Sequence, residues 1–290
     1  MKKKVILLAA MFVGVSAYAQ DLTSKKGETM LPEAGDWAIS MDATPFLDFA
    51  GGVLGGNATA PTAGYVTDQD WHIRGKMFKD ANTAYRAGIR LGFGSEKTTA
   101  MIGQLNATAP SWPNAPAMVE DVMSSGATNI VITGGLEKRR GNTRLQGYYG
   151  GELMISVSNT KDSYTYGNAM DAAGTALGAS TNFGGNVGVD PFYSNGARMT
   201  EDKTSSFGLG LRGFIGAEYF IFAKMSIGAE FGWGLGVTSE SSSTTWEATD
   251  GTTIATITDD SGNSEGGFGV DIDAMNSTSA AGSLNITFHF

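Results

Sequence analysis

Apolar side chains occupy every second position in eight stretches of this chain, and polar residues or glycine fill the positions between them. In residues 225–237 the odd positions hold Met, Ile, Ala, Phe, Trp, Leu and Val, while the even positions hold Ser, Glu and four glycines. A period of two predicts a β-strand with one apolar and one polar face. The 41 glycines among 290 residues disfavour helices. We therefore predict an all-β fold with eight strands, at residues 37–49, 71–77, 85–93, 130–136, 144–157, 207–219, 225–237 and 284–290.

The connections between these stretches alternate in length. Short turns are expected at residues 79–82, 139–142 and 220–224, and long connections at 50–70, 95–128, 158–205 and 238–277. Short turns on one side and long loops on the other are typical of outer-membrane barrels. The prediction is an eight-stranded antiparallel transmembrane β-barrel with short periplasmic turns and long extracellular loops. Short helical turns are expected within these loops, at residues 118–123 and 169–177.

A soluble β-sandwich is the alternative, because its strands also alternate. Aromatic residues near both ends of the apolar faces favour the barrel, since aromatic girdles lie at the two membrane interfaces. They are Trp37, Tyr85, Tyr219 and Phe290 at one end, and Phe49, Trp71, Phe93 and Phe207 at the other. The glycines of the opposite face suit the narrow interior of an eight-stranded barrel.

The N-terminus has the pattern of a secretory signal. Lys2, Lys3 and Lys4 precede an apolar run at residues 5–15, and Ala17 and Ala19 form a small-residue cleavage site. We predict a signal peptide at residues 1–19, a periplasmic segment at 20–34 and the barrel at 35–290. Loss of three lysines takes the net charge from −9 to −12, which argues against a nucleic-acid partner. The absence of cysteine excludes disulfides and thiolate chemistry.

Four segments, at residues 75–88, 137–141, 147–153 and 228–234, resemble the outer membrane protein beta-barrel domain of Gram-negative bacteria. This is the small-barrel family that includes OmpA-like and OmpX-like proteins. The resemblance implies insertion by the barrel-assembly machinery, which reads the last strand, with Phe288 and Phe290 as the assembly signal. It also implies contact with outer-membrane lipid and lipopolysaccharide. We expect no peptidoglycan-binding domain after the barrel, and the resemblance implies no particular reaction.

Charged residues on the polar faces of the strands predict a lumen charge network. Six positive and six negative side chains in a narrow interior indicate mutual pairing, since unpaired buried charges are costly. The alternative is that they line a narrow pore for ions or small solutes. The predicted members are Asp42, Asp48, Arg74, Lys76, Arg86, Arg90, Glu137, Arg144, Glu152, Arg212, Glu218 and Glu230.

Catalytic candidates are few, and we predict that the protein is not an enzyme. His72 and His289 are the two histidines, and either could serve a serine in an outer-membrane lipid hydrolase. No G-x-S-x-G motif supports that alternative, so we expect both histidines to be hydrogen-bonded residues of the lumen or its rim.

The last long connection is strongly acidic and has no lysine or arginine between Val237 and Asn276. Asp259, Ser261, Asn263 and Glu265 place oxygen atoms at alternate positions, a weak candidate for surface Ca²⁺, although the glycine of the EF-hand pattern is missing. We expect no other cofactor. The sequence favours a monomeric outer-membrane barrel with a structural or surface-interaction role, in which acidic loops contact an extracellular protein or glycan.

Overall fold

The protein forms one antiparallel sheet of eleven strands in a computed structural model that describes residues 22–24, 27–43, 52, 73–107, 113–188, 196–260, 265–272 and 283–290. The signal peptide predicted at residues 1–19 lies outside these ranges. A 3-10 helix spans Thr175–Ala179. The strands are β1 (Trp37–Asp42), β2 (Ile73–Asp80), β3 (Thr83–Gly103), β4 (Met118–Arg140), β5 (Leu145–Thr165), β6 (Val187–Gly188), β7 (Ala197–Phe222), β8 (Met225–Thr249), β9 (Ile254–Asp259), β10 (Glu265–Ile272) and β11 (Ser283–His289).

Eight of the strands close the sheet on itself. Around the ring the order is β1, β2, β3, β4, β5, β7, β8 and β11, and β11 returns to β1. The closing pair includes Trp37, whose N–H donates to the Phe290 carbonyl at 3.2 Å, and Phe290, whose N–H donates to the Trp37 carbonyl at 2.7 Å. Each predicted stretch overlaps one strand of this ring, and the all-β antiparallel class is confirmed.

Three strands were not predicted and lie outside the ring. The two-residue β6 pairs with β7, while β9 pairs with residues 244–249 of β8 and β10 pairs with residues 233–240 of β8. Both β9 and β10 fall within the connection that was expected to be a loop at residues 238–277. That expectation was therefore wrong for much of this connection.

Five ring strands are much longer than the sequence pattern indicated. β3, β4, β5, β7 and β8 contain 21 to 26 residues, whereas β1, β2 and β11 contain 6 to 8. We call their outer parts, residues 94–103, 118–128, 158–165, 197–206 and 238–249, the distal wall. Serine and threonine populate both faces of this wall, so the apolar alternation stops although the strands continue. The helical turn expected at 118–123 was wrong, because those residues begin β4, and the turn expected at 169–177 overlaps the 3-10 helix.

The ring has an apolar outer surface and a polar inner one. On β8, for example, Phe231, Trp233, Leu235 and Val237 are 37–51% exposed, while Glu230, at the inward position just before them, is 3% exposed. On β4, β5 and β7 the outer apolar surface ends at Ile130, Val157 and Phe207, which form one continuous register row with Leu91 of β3. On β3 one further apolar residue, Phe93, lies on the outer face after Leu91. Beyond this row most other outward positions are Ser, Thr, Asn, Lys or Glu. We call the apolar part below it the apolar band.

Glycines on the inner surface make room for large side chains on adjacent strands. A Cβ atom at Gly232 would overlap the Arg212 guanidinium, and one at Gly216 would overlap the Tyr148 ring. The glycine excess of the sequence is thus partly a packing requirement of the interior.

No helix among the described residues is long and apolar enough to cross a membrane.

Candidate functional site: a charge cluster inside the ring

Nine charged side chains from six strands meet inside the ring. Each occupies an inward position of its strand and is at most 4% exposed. We call this set the interior charge cluster. Its members are Arg74, Lys76, Arg86, Arg139, Arg212, Glu137, Glu152, Glu218 and Glu230.

Glu230 on β8 is bound by three arginines from other strands. Its carboxylate lies 3.3 Å from Arg74 Nη1, 2.9 Å from Arg86 Nη1 and 2.8 Å from Arg212 Nη1. β3, which carries Arg86, is separated from β8 by three strands in either direction around the ring. The Arg86–Glu230 pair therefore spans the full width of the interior.

A second group of ion pairs lies nearer the short turns. Arg139 donates to Glu137 at 2.8 Å and to Glu218 at 2.6 Å, and Lys76 lies 3.1 Å from Glu137. Arg86 also lies 3.4 Å from Glu137, so it joins this group to the arginines around Glu230. The cluster is one connected network, as a buried group of charges requires.

Aromatic rings fill the space beside these cations. The Arg86 guanidinium lies 3.9 Å from the centre of the Phe214 ring, and Lys76 Nζ lies 4.8 Å from the centre of the Tyr148 ring. Such contacts stabilise a desolvated cation. Ion pairs and rings together occupy the interior at this level, an arrangement suited to holding the wall together.

His289 does not form a catalytic relay with the serine and acid beside it. Its Nε2 faces both Ser226 Oγ at 3.2 Å and Glu218 Oε1 at 3.4 Å, and Ser226 itself donates to Glu218. Among the described residues Nδ1 has no hydrogen-bond partner, and the centre of the imidazole ring lies 5.6 Å from that of Phe78 and 5.2 Å from that of Phe220. A serine relay needs serine and acid on opposite ring nitrogens.

Eight of the twelve predicted network residues belong to the interior charge cluster. Arg90 is also buried, and Arg144 is half-buried in the turn before β5. Asp42 lies on β1, but its side chain is outside the described residues, as are Asp48 and His72. Arg139 was missed because a turn was expected to start there. Since β4 continues to Arg140, Arg139 points inward like Glu137, which is two residues before it. This two-residue spacing was the sequence signal that could have identified Arg139.

A second buried polar group, which we call the distal cluster, joins the segment after β5 to the distal wall. Arg198 donates to Glu247 at 2.7 Å and to the Asn168 carbonyl at 2.9 Å, and its guanidinium lies 4.2 Å from the centre of the Tyr166 ring. Asp121, fully buried, accepts from the backbone N–H groups of residues 167 and 181. Burial raises the pKa of Tyr166 to about 12. No sequence motif pointed to this cluster.

The inner surface of the distal wall is acidic. One register row carries Glu96, Asp162, Asp202 and Asp259 on β3, β5, β7 and β9, with Ser125 and Thr244 completing it on β4 and β8. Glu240 and Glu265 face each other on β8 and β10. Directly paired residues share a face, so these six acids are on one side of the sheet.

The calcium candidates lie only partly within the described residues. Asp259 ends β9 and Glu265 begins β10, and they pair with different parts of β8. Ser261 and Asn263 lie outside the described residues. Within the parts of the chain that the structure describes, no group of three or more His, Asp or Glu side chains could hold a metal ion.

The fold and the cluster define an all-β protein whose closed antiparallel ring has a charged interior and an apolar exterior. No protein-family model and no curated protein sequence matches this chain. Among solved structures it is similar to a major outer membrane protein from Thermus thermophilus, at 11% identity over 89% of this chain and 100% of that one, with a TM-score of 0.28. At that TM-score the similarity carries no weight for fold or function, so the conclusions below depend on the geometry.

Proposed function

We propose that the chain is an integral outer-membrane β-barrel, exported by its N-terminal signal and inserted by the barrel-assembly machinery. The apolar band is the observation that carries this proposal. Within the described residues, the outward positions of β5, β7 and β8 in this band are all apolar or glycine, and the interior charge cluster points inward. On β4 the outward cations Lys138 and Arg140 lie only at the end of the strand beside the short turn. A water-soluble protein rarely exposes so large a continuous apolar surface.

The height of the band also supports a membrane location. On β8 the band runs from Met225 to Val237, about 41 Å of strand at about 3.4 Å per residue. With a strand tilt of about 45° this corresponds to roughly 29 Å along the membrane normal, close to the height of about 25 Å expected for outer-membrane barrels. Trp37 and Phe290 are 60% and 69% exposed at one edge, and Phe93 and Phe207 are 62% and 50% exposed at the other.

The proposed role is structural, with surface interaction through the distal wall. In a membrane the wall would project outward from the band, since β8 continues for about 40 Å of strand beyond Val237 at about 3.4 Å per residue. Its acidic inner surface would attract cationic groups of an extracellular protein, or divalent cations shared with lipopolysaccharide. The distal cluster would keep the wall rigid.

A pair of arginine substitutions on one strand tests membrane integration. Leu211 and Ser205 both point outward on β7, but Leu211 lies in the apolar band and Ser205 lies above it. We expect Leu211→Arg to lower the yield of folded protein in the outer membrane, since an arginine near the bilayer midplane costs about 2–4 kcal/mol. Ser205→Arg should be neutral.

Membrane fractionation and the heat-dependent shift in electrophoretic mobility of the full chain provide the measurement. Recovery of the unaltered chain in the soluble periplasmic fraction would contradict the proposal. Equal yields for Leu211→Arg and Ser205→Arg would contradict it as well, because a soluble protein tolerates either arginine.

The surface role is tested with a cationic probe. We expect labelled oligolysine to bind vesicles that contain the protein, and to bind less after the combined substitution Asp162→Asn, Asp202→Asn, Glu240→Gln and Glu265→Gln. The matched control removes outward-facing carboxylates, with Glu120→Gln and Glu201→Gln. Undiminished binding after the inner substitutions would refute a role for the acidic surface.

A further inference from the structure

The outer surface of the ring carries a groove of about 450 Å³ across β4, β5, β7 and β8, and Val270 of β10 borders it. Leu136, Gly151, Gly213 and Trp233 form one register row of this groove, and Gly134, Leu153, Leu211 and Leu235 form the next. All eight point outward within the apolar band. The groove exists because glycines interrupt an otherwise bulky surface.

The floor of the groove is open. A Cβ atom at Gly134 would meet nothing within 4 Å, and one at Gly151 would approach only a backbone oxygen at 3.6 Å. The Trp233 indole instead lies directly over Gly213 and forms one side. Leucines that are 44–57% exposed, together with Val270 of β10, line the rest of the groove. This shape and composition suit a flexible hydrocarbon chain.

Two cationic residues, Lys138 and Arg140, follow the groove residues on the outward face of β4, toward the edge of the ring that has the short turns. On β4 the outward positions run Gly134, Leu136, Lys138, Arg140, and both cations are exposed. Lys138 is paired with Tyr149, and its Nζ donates to Thr83 Oγ1 at 2.8 Å, which leaves further N–H donors available. Leu136 and Arg140 are about 13 Å apart along the strand, within the roughly 15 Å that one leaflet contributes to the hydrocarbon core.

We propose that this groove binds an anionic glycerophospholipid, with an acyl chain over Gly134 and Gly151 and the phosphate at Lys138 and Arg140. The inference rests on the proposed function, in which the short turns face the periplasm and this edge meets the phospholipid leaflet. The positive charges of Lys138 and Arg140 favour a lipid with a negatively charged headgroup as the molecule that occupies the groove. A second copy related by a two-fold axis along the membrane normal would bring its own cations to the same depth, where they would repel these.

Tryptophan quenching by brominated lipids tests the proposal. The full chain is reconstituted in phosphatidylcholine vesicles that contain a minor fraction of either dibrominated phosphatidylglycerol or dibrominated phosphatidylcholine. The Trp233 signal is obtained by difference with Trp233→Phe. We expect phosphatidylglycerol to be enriched at Trp233 by about fivefold for each of the two cations.

Four variants separate the contributions of the groove and the cations. Lys138→Gln with Arg140→Gln should abolish the preference for phosphatidylglycerol, whereas Lys79→Gln, an exposed outward cation on β2, should preserve it. Gly134→Phe should reduce quenching of Trp233 by both lipids. Gly75→Phe should not, since Gly75 is an outward glycine on β2, away from the groove, whose Cβ would meet only the Ala87 carbonyl oxygen at 3.9 Å.

Three results would overturn the inference. Equal quenching of Trp233 by the two brominated lipids, or a preference that survives the loss of both cations, would remove the headgroup site. Quenching of Trp37 but not of Trp233 would mean that a second copy or another protein covers the groove. Absence of quenching at every tryptophan would refute the proposed membrane location and this inference with it.

Discussion

At the scale of single residues, the interior is packed by large side chains that lie over glycines on the neighbouring strand. Arg212 lies over Gly232 and Tyr148 lies over Gly216, while the charged groups of the arginine and its neighbours meet at Glu230. The alternation predicted which charged side chains point inward, because every second residue of an uninterrupted strand points to the same face. It did not predict the partners. Arg86 reaches Glu230 across the ring, and that pairing depends on the stagger of all eight strands.

Gly232→Ala should destabilise the ring, because its Cβ would displace the Arg212 guanidinium from Glu152 and Glu230. Forcing an atom into a filled interior costs about 1–3 kcal/mol. Urea unfolding from vesicles, followed by tryptophan fluorescence, measures the free energy of unfolding. Gly134→Ala is the matched control, since its Cβ meets nothing within 4 Å, and we expect a change within about 0.5 kcal/mol. Equal losses would contradict the packing explanation.

Tyr166 should ionise late and should make the distal cluster sensitive to alkaline pH. Burial raises the pKa of its phenol from 10.0 to about 12, so the folded protein retains this proton more strongly than the unfolded chain does. The stabilisation is therefore complete below about pH 10 and is lost as the pH rises through about 12. Tyrosinate absorbance should lose a component that titrates near pH 12 in Tyr166→Phe. A titration curve unchanged by the substitution would contradict the burial of this group.

At the scale of elements, the main difference between expectation and structure is strand length. The ring portions were predictable because one face is apolar and the other polar. The distal wall was not, because Ser and Thr occupy both its faces and leave no period to detect. Thr favours extended backbone, and long register rows continue without interruption from β3 to β5.

Engineered cysteines can test whether the distal wall is strand or loop. The chain has no cysteine, and Ser158 and Ser206 are directly paired on the inner face of β5 and β7. The Cα atoms of a directly paired couple are about 4.5–5.5 Å apart, within the range of about 4.4–6.8 Å that a disulfide spans, so Ser158→Cys with Ser206→Cys should oxidise readily. Ser158→Cys with Ser205→Cys should remain reduced, because residue 205 points to the opposite face. Similar oxidation of both pairs, measured by thiol labelling, would indicate a flexible loop.

At the scale of the whole molecule, the ring separates two electrostatic regions. The interior charge cluster is a densely paired network, whereas the distal wall has an acidic inner surface. The net charge of −9 describes neither region by itself. The overall composition could not reveal this separation of charge, because the separation depends on which residues share a register row.

The filled interior predicts a closed barrel. Purified protein, shown to be folded by its heat-dependent mobility, should give no resolved conductance steps in planar bilayers at high salt. The reason is that Arg86 and Glu230 bridge the full width of the ring beside Phe214. Reproducible channel steps from the folded protein would contradict this and would favour a narrow pore.

Ring closure also has a kinetic consequence. The hydroxyls of Ser40 and Thr287, which are 247 residues apart, meet at 2.9 Å where β1 and β11 pair. Contacts so distant in the chain form slowly, since the intervening segment must first be brought together. Until then the partly assembled sheet has two unpaired edges, which invite aggregation. In the outer-membrane location proposed above, the chain would depend on holding chaperones during its passage to the membrane, and the time needed to join β1 with β11 would limit how fast it can mature.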